Sequence, residues 1–200
     1  MLVLAPDEPQ RIASPYFSEL VAVVNAAWAD WMSSGYPAQM QHKRFRAAFV
    51  WNQLLTHAKR RFDGRQDVRV EVIKNWEGLL LHDSIFIRFK LGYDDLLSRN
   101  YPTQSALDFH DQELDLFGSG ITRLELIYVL NDLGTEIQRI ALIQRHKNSV
   151  AWAIDLLGKE DETQKVIDLP AVVRQGSPAE RIIKPKSGNQ NERLEPNSGS

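Results

Sequence analysis

Residues 121–156, ITRLELIYVLNDLGTEIQRIALIQRHKNSVAWAIDL, contain three apolar runs separated by two short polar stretches. The runs are ITRLELIYVL, TEIQRIALIQ and SVAWAIDL, and the stretches NDLG and RHKN lie between them. In the last run Val150, Trp152, Ile154 and Leu156 occupy every second position, so their side chains share one face of a strand. Connections this short cannot contain a crossover helix, and the segment therefore predicts an antiparallel three-stranded meander.

The same period of two appears upstream, between residues 67 and 91. Val68, Val70 and Val72 alternate with Arg69, Glu71 and Ile73, which indicates a half-buried strand. In the run IFIRFKL, residues 85–91, Arg88 and Lys90 fall on the face opposite the one that carries Ile85, Ile87 and Phe89. The stretches NWEG and HDS read as turns, so Trp76 is the tryptophan expected to be exposed. The other four, Trp28, Trp31, Trp51 and Trp152, read as core residues.

Two helical patterns precede the strands. Ser14 and Pro15 are typical of a helix start, and an apolar stripe from Phe17 to Trp31 continues toward Gly35, a plausible stop. The second helix is expected at about 41–62, and Thr103 is predicted to cap a short helix reaching about Leu114. Together these patterns predict an α+β fold, with two N-terminal helices packed on a mainly antiparallel sheet of five or six strands.

The chain divides into three parts on composition. Residues 1–13 read as an irregular N-terminus, 14–160 as a single α+β domain, and 161–200 as a linker and disordered C-terminal tail. Beyond Arg174 the large apolar side chains are so few that their burial would not offset the entropy lost on ordering. A brief apolar island, VIDLPAVV, lies just before this point.

The bulk composition excludes several classes of protein. With 43% apolar and 25% charged residues, the chain of 200 residues is typical of a globular protein. The formal net charge of −2 argues against a general polycation, and the absence of cysteine excludes disulfides and thiolate metal sites. The sequence shows neither a signal peptide nor a long apolar span, so we expect a cytoplasmic protein that does not cross a membrane.

One segment departs from this charge balance. Residues 42–69, HKRFRAAFVWNQLLTHAKRRFDGRQDVR, carry eight Lys and Arg but only two Asp. On a helical wheel the basic residues gather on one side, opposite Ala47, Trp51 and Leu54, although Val50 intrudes among them. Surface helices usually mix both signs of charge, and no acid lies between His42 and Phe62. The leading hypothesis is therefore a non-enzymatic binding protein that contacts DNA, RNA or another polyanion through this helix. The candidate binding residues are Lys43, Arg46, His57, Arg60, Arg61, Arg65, Arg88, Lys90 and Arg99.

Other interpretations remain open at this point. The basic side of the helix is also consistent with an ordinary solvated face or with a site for an acidic protein partner. A protein–protein adaptor or regulator that uses the sheet surface or the tail island is the main alternative. A third is a metal-dependent enzyme built on the acidic cluster DFHDQELD, whose weak candidate ligands are Asp108, His110, Asp111 and Asp115. No complete catalytic motif is present, and neither a catalytic residue nor a cofactor is predicted.

Overall fold

A computed structural model describes residues 6–40, 42–99, 103–117 and 120–158, and the predictions for the extreme N-terminus and the C-terminal tail lie outside these ranges. The helices are α1 (Asp7–Ala13), a single 3-10 turn (Ser14–Tyr16), α2 (Phe17–Ser33), α3 (Tyr36–Gln39), α4 (Lys43–Arg61) and α5 (Gln104–His110). The strands are β1 (Val68–Ile73), β2 (Trp76–Leu81), β3 (Ile85–Leu91), β4 (Thr122–Leu130), β5 (Ile137–His146) and β6 (Ser149–Asp155).

The six strands form one sheet in the order β1-β2-β3-β4-β5-β6. Every neighbouring pair is antiparallel except β3 and β4, which are parallel with Ile85 opposite Thr122 and Leu91 opposite Tyr128. The parallel pair is possible because the connection between the two strands is long enough to return across the sheet and includes α5. The predicted α+β class and the C-terminal meander are both confirmed.

The sheet has a different cover on each face. Helices α2 and α4 pack on one face, where Leu20, Trp28 and Leu54 join Ile87 and Leu126 in the main core. The connection between β3 and β4 covers the opposite face, with Leu96 over the centre and Phe109 over the β2–β3 side. This division follows from the alternation of side chains along each strand, which sends successive residues to opposite covers.

Three helix boundaries differ from the sequence prediction. Residues Asp7–Ala13 form α1, where an irregular segment was predicted, and Pro9 and Ala13 of this helix are buried. Ser14 is not an N-cap, because the chain passes through the 3-10 turn directly into α2. The short helix α5 ends at His110 and not near Leu114. By contrast, Gly35 adopts a left-handed φ of 74° just after α2, as predicted for a helix stop.

Two tryptophans are placed differently from the prediction. Trp76 is 8% exposed, because the turn after β1 occupies only Lys74 and Asn75, so Trp76 begins β2. Its ring packs against Phe109 and Phe117 at centroid distances of 5.7 Å and 5.6 Å. Trp51, predicted to be a core residue, is 40% exposed.

None of the helices in the described part of the chain combines the length and the hydropathy that a bilayer-spanning helix requires.

Candidate functional site

The orientation of α4 determines what its basic residues can reach. Arg46, Val50, Leu54, His57 and Arg61 follow one another at steps of three or four residues and so form one stripe along the helix. Val50 and Leu54 are buried in the core that α4 shares with α2. The basic members of this stripe therefore border the α2–α4 contact, where Arg46 and His57 are partly buried, which explains why Val50 intruded among them on the wheel.

Acidic residues from outside α4 compensate several of the predicted cations. His57 Nε2 lies 2.7 Å from Asp30 Oδ2 on α2, and Arg61 Nε lies 3.5 Å from Glu19 Oε1 on the same helix. Lys59, on another side of α4, pairs with Glu77 of β2 at 2.9 Å. Neighbouring elements thus supply counter-charge for part of the basic side of α4.

Arg65 belongs to a network at the start of β1. Its guanidinium pairs with Asp67 at 3.0 Å and with Glu19 at 3.1 Å, and it lies 5.0 Å from the ring centroid of Tyr16. The Tyr16 hydroxyl donates a hydrogen bond to Asp67. Burial, together with this bond, raises the pKa of Tyr16 to about 12. Arg65 therefore connects α2 to the sheet, and its charge is already used within the protein.

Arg46 is also engaged by the fold. Its Nη1 donates a hydrogen bond of 3.0 Å to the carbonyl of Gly134, in the turn between β4 and β5, and its guanidinium lies 6.0 Å from the ring of Trp28. Burial lowers the pKa of Arg46 from its ordinary value. These contacts fix the N-terminal half of α4 to that end of the sheet.

The two strand cations lie apart from the α4 stripe, and the loop cation Arg99 lies beside it. Arg88 and Lys90 project from β3 to the face opposite α4, and the Arg88 guanidinium stacks 4.5 Å from the ring of Phe109. Burial, together with the charge of Arg88, lowers the pKa of Lys90 to about 8, against the opposing effect of the Glu125 charge. Arg99 is exposed, stacks 4.6 Å from the ring of Tyr93 and donates to the Gly92 carbonyl at 2.8 Å. The nine predicted residues do not form one continuous patch.

Three of the predicted residues remain exposed and without an ion pair to any described residue: Lys43, Arg60 and Arg99. Arg44, next to Lys43, shares this property. Lys43 and Arg44 open α4, whereas Arg60 lies near its end. The positive charge available to a partner is therefore greatest at the start of the helix.

Large apolar side chains are exposed beside that charge. Met32 lies in the last turn of α2, Tyr36 begins α3, Met40 follows α3, and Phe45 lies in the first turn of α4, each between 37% and 46% exposed. The Phe45 ring packs 5.3 Å from the ring of Tyr36 and 6.2 Å from that of the buried Trp31. We call Met32, Tyr36, Met40 and Phe45 the aromatic corner. A helical wheel of α4 cannot reveal this corner, because it does not show which residues α2 and α3 bring to Phe45.

A buried charged cluster, which sequence reasoning missed, lies on the opposite face of the sheet. Glu125 of β4 is 1% exposed, and its Oε1 accepts a hydrogen bond of 3.2 Å from His110 Nε2. Burial alone would raise the pKa of Glu125, but the bond from His110 and the charges of Arg145 and Arg88 hold it below its ordinary value. Burial is the main cause that lowers the pKa of His110. The available signal was the presence of Arg123 and Glu125 within the apolar run of a central strand.

The weak metal candidates do not converge. Asp108 accepts from Gln104 at 2.6 Å, His110 is bonded to Glu125, and Asp111 Oδ1 accepts from the Glu113 backbone at 3.1 Å. Asp115 interacts electrostatically with Arg123. Within the described ranges, no group of three or more His, Asp or Glu side chains is arranged to hold a metal ion. These side chains instead interact with residues of α5, of the segment that follows it and of β4.

Comparisons with protein-family models, with curated proteins and with solved structures find no match to this chain.

Proposed function

We propose that the protein is a binding module that recognises an acidic, partly apolar segment of another protein at the aromatic corner. The observation that carries this proposal is the placement of exposed Tyr36 and Phe45 rings beside Lys43 and Arg44, which have no ion pair with a described residue. Aromatic residues, Met and Arg are the side chains enriched at protein–protein contacts.

The chemistry of the corner indicates what such a partner would carry. An aliphatic or aromatic side chain of the partner would cover the exposed edges of Tyr36 and Phe45, removing apolar surface from water. Aspartate or glutamate beside that anchor would pair with Lys43 and Arg44, which would favour association more at low salt than at high salt. Both features are properties of one short acidic segment.

The distribution of charge favours a protein partner over a nucleic acid. The affinity for a phosphate backbone increases when several cations that are not paired with acids lie on one surface. Here His57 and Arg61 are paired with acids of α2, and Arg88 and Lys90 are on the other face of the sheet. Polyanion binding through α4 stays a prediction, as do the non-enzymatic role and the cytoplasmic location.

Selection of displayed peptides, followed by binding measurements on the selected sequences, tests the proposal. We expect the enriched peptides to combine acidic residues with a large apolar anchor. Phe45→Gln should abolish their binding, and the double variant Lys43→Gln/Arg44→Gln should weaken it by about tenfold, since each pair is exposed. Lys59→Gln/Arg60→Gln, on the same helix but away from the aromatic corner, is the matched control and should bind normally.

A salt titration with a mixed-sequence oligonucleotide provides the competing outcome. The polyanion hypothesis replaces the protein-partner proposal if three results are obtained together. The oligonucleotide binds, no peptide is enriched, and Lys59→Gln/Arg60→Gln weakens oligonucleotide binding as much as Lys43→Gln/Arg44→Gln does. If neither probe binds, the basic side of α4 is a solvated face.

A further inference from the structure

A separate pocket lies on the other flank of α4, between this helix and the sheet. It has a volume of about 280 Å³ and is lined from α4 by Ala47, Ala48, Trp51 and Leu54, and from the strands and loop by Phe89, Lys90, Leu91, Arg99 and Tyr128. Aromatic and aliphatic side chains thus form most of its walls. Trp51, whose exposure was unexpected for a core residue, is one of these walls.

Arg99 and Tyr128 supply the polar side chains at this pocket, whereas the Lys90 side chain projects to the opposite face of the sheet. Tyr128 is 4% exposed, and its hydroxyl makes no hydrogen bond with a described residue. Burial raises the pKa of Tyr128, while the nearby positive charges of Arg46 and Arg99 partly lower it. Arg99 uses Nε to hold the Gly92 carbonyl, and its terminal nitrogens form no hydrogen bond with a described residue. No Asp or Glu is among the lining residues.

We propose that this pocket binds a small organic carboxylate with a flat apolar body. The body would lie between Trp51 and Phe89, and the carboxylate would accept hydrogen bonds from the Arg99 guanidinium and the Tyr128 hydroxyl. A guanidinium can present two parallel donors to a carboxylate, which gives direction as well as charge to the contact. Ligand pockets commonly combine apolar walls with a few convergent polar groups in this way.

This proposal is independent of the aromatic corner. The pocket uses Ala48, Trp51 and Leu54, whereas the corner uses Phe45 and residues of α2 and α3. The charge of Arg99, with no acid among the described lining residues, stabilises a bound anion, and an uncharged ligand of the same shape would gain only the apolar contacts. The preference for charge is therefore the property to measure.

Isothermal titration calorimetry with naphthoate and with uncharged naphthalenemethanol tests the proposal on the full chain. We expect naphthoate to bind about tenfold more tightly than the alcohol, and Arg99→Gln to remove this preference without affecting the alcohol. Ala48 lies at an exposed position of α4 and lines the pocket. Ala48→Phe would place a ring there and should therefore weaken the binding of both probes. Arg60→Gln and Phe45→Gln are the controls and should leave naphthoate binding unchanged.

Thermal unfolding of each variant separates a change in binding from a change in folding. The proposal is overturned if neither probe binds or if the two probes bind with equal affinity. It is also overturned if Arg60→Gln weakens naphthoate binding as much as Arg99→Gln does. Loss of naphthoate binding in Phe45→Gln, with retention in Ala48→Phe, would also overturn it, because the probe would then occupy the aromatic corner.

Discussion

At the scale of single residues, Glu125 shows how a charge can be kept inside this sheet. Its carboxylate lies beneath the β3–β4 connection, where His110 donates to Oε1 and the charges of Arg88 and Arg145 are close enough to favour the ionised form. Within the described residues, Oε2 of Glu125 and Nη1 of Arg88 have no hydrogen-bond partner. An ion cluster of this kind contributes little net stability, but removing one member leaves the others uncompensated.

The histidine of this cluster leads to a prediction about pH. Because burial lowers the pKa of His110, the unfolded chain binds a proton at this residue more readily than the folded protein does. The contribution of neutral His110 to stability is therefore present above about pH 6.5, the ordinary pKa of histidine, and is lost as the pH falls below it. We expect the free energy of unfolding to fall by at most about 1.4 kcal/mol per pH unit from this one group.

Denaturant unfolding between neutral pH and about pH 5 measures this slope, which the acidic side chains affect mainly at lower pH. His110→Gln should reduce the slope, since glutamine retains a donor for Glu125 but does not titrate. His42→Gln is the control, because the His42 side chain is exposed. An unchanged slope in His110→Gln would show that the proton taken up on unfolding belongs to another group.

At the scale of elements, the sequence patterns predicted where the strands lie along the chain better than they predicted which strands lie side by side in the sheet. The period of two marks IFIRFKL as a strand, and β3 spans the same seven residues. The pattern says which side chains share a face, but it does not say which strand lies beside it, so the parallel pairing of β3 with β4 was not predictable. That pairing depends on the path of the long connection, a property of the tertiary structure.

Helix α4 illustrates the same limit for the candidate site. The wheel correctly separated Leu54 and Ala58 from Arg60, and these residues are buried and exposed as expected. It misassigned Val50 and Trp51, because α4 contacts both α2 and the sheet and its buried stripe is rotated accordingly. The acids that neutralise His57 and Arg61 come from a different helix, which no analysis of α4 alone can reveal.

The contact between β2 and β3 gives a prediction at this scale. A Cβ added at Gly78 would lie 2.4 Å from the Ile87 carbonyl oxygen and 2.9 Å from the Phe86 ring. The first of these is backbone, so Gly78→Ala must displace one strand from the other. We expect a loss of about 1–3 kcal/mol in the free energy of unfolding, the usual cost of overpacking.

Gly158→Ala is the matched control for this change, because a Cβ there meets nothing within 4 Å and no positive φ is involved. Chemical denaturation of the two variants and the wild type gives the comparison. Equal stability of Gly78→Ala and the wild type would mean that β2 and β3 tolerate a wider separation than the structure indicates.

At the scale of the whole molecule, β6 completes the sheet among the described residues. Trp152 and Ile154 of this edge strand belong to the main core, and the Trp152 indole donates to Gln144 of β5 at 2.9 Å. Residues 174–200 contain only three large aliphatic side chains, Ile182, Ile183 and Leu194. So little apolar area would contribute less stability than the ordering of the segment would cost.

Two truncations test where the folded unit ends. A chain ending at Gln175 should unfold at the same temperature as the full chain, because it keeps every core residue in the described part of the chain. A chain ending at Asn148 should fail to fold, because it lacks Val150, Trp152, Ala153 and Ile154, all of which are buried. Thermal unfolding followed by circular dichroism measures both. A decrease of more than about 5 °C for the first truncation, on the order of 1–2 kcal/mol, would show that residues beyond Gln175 stabilise the fold.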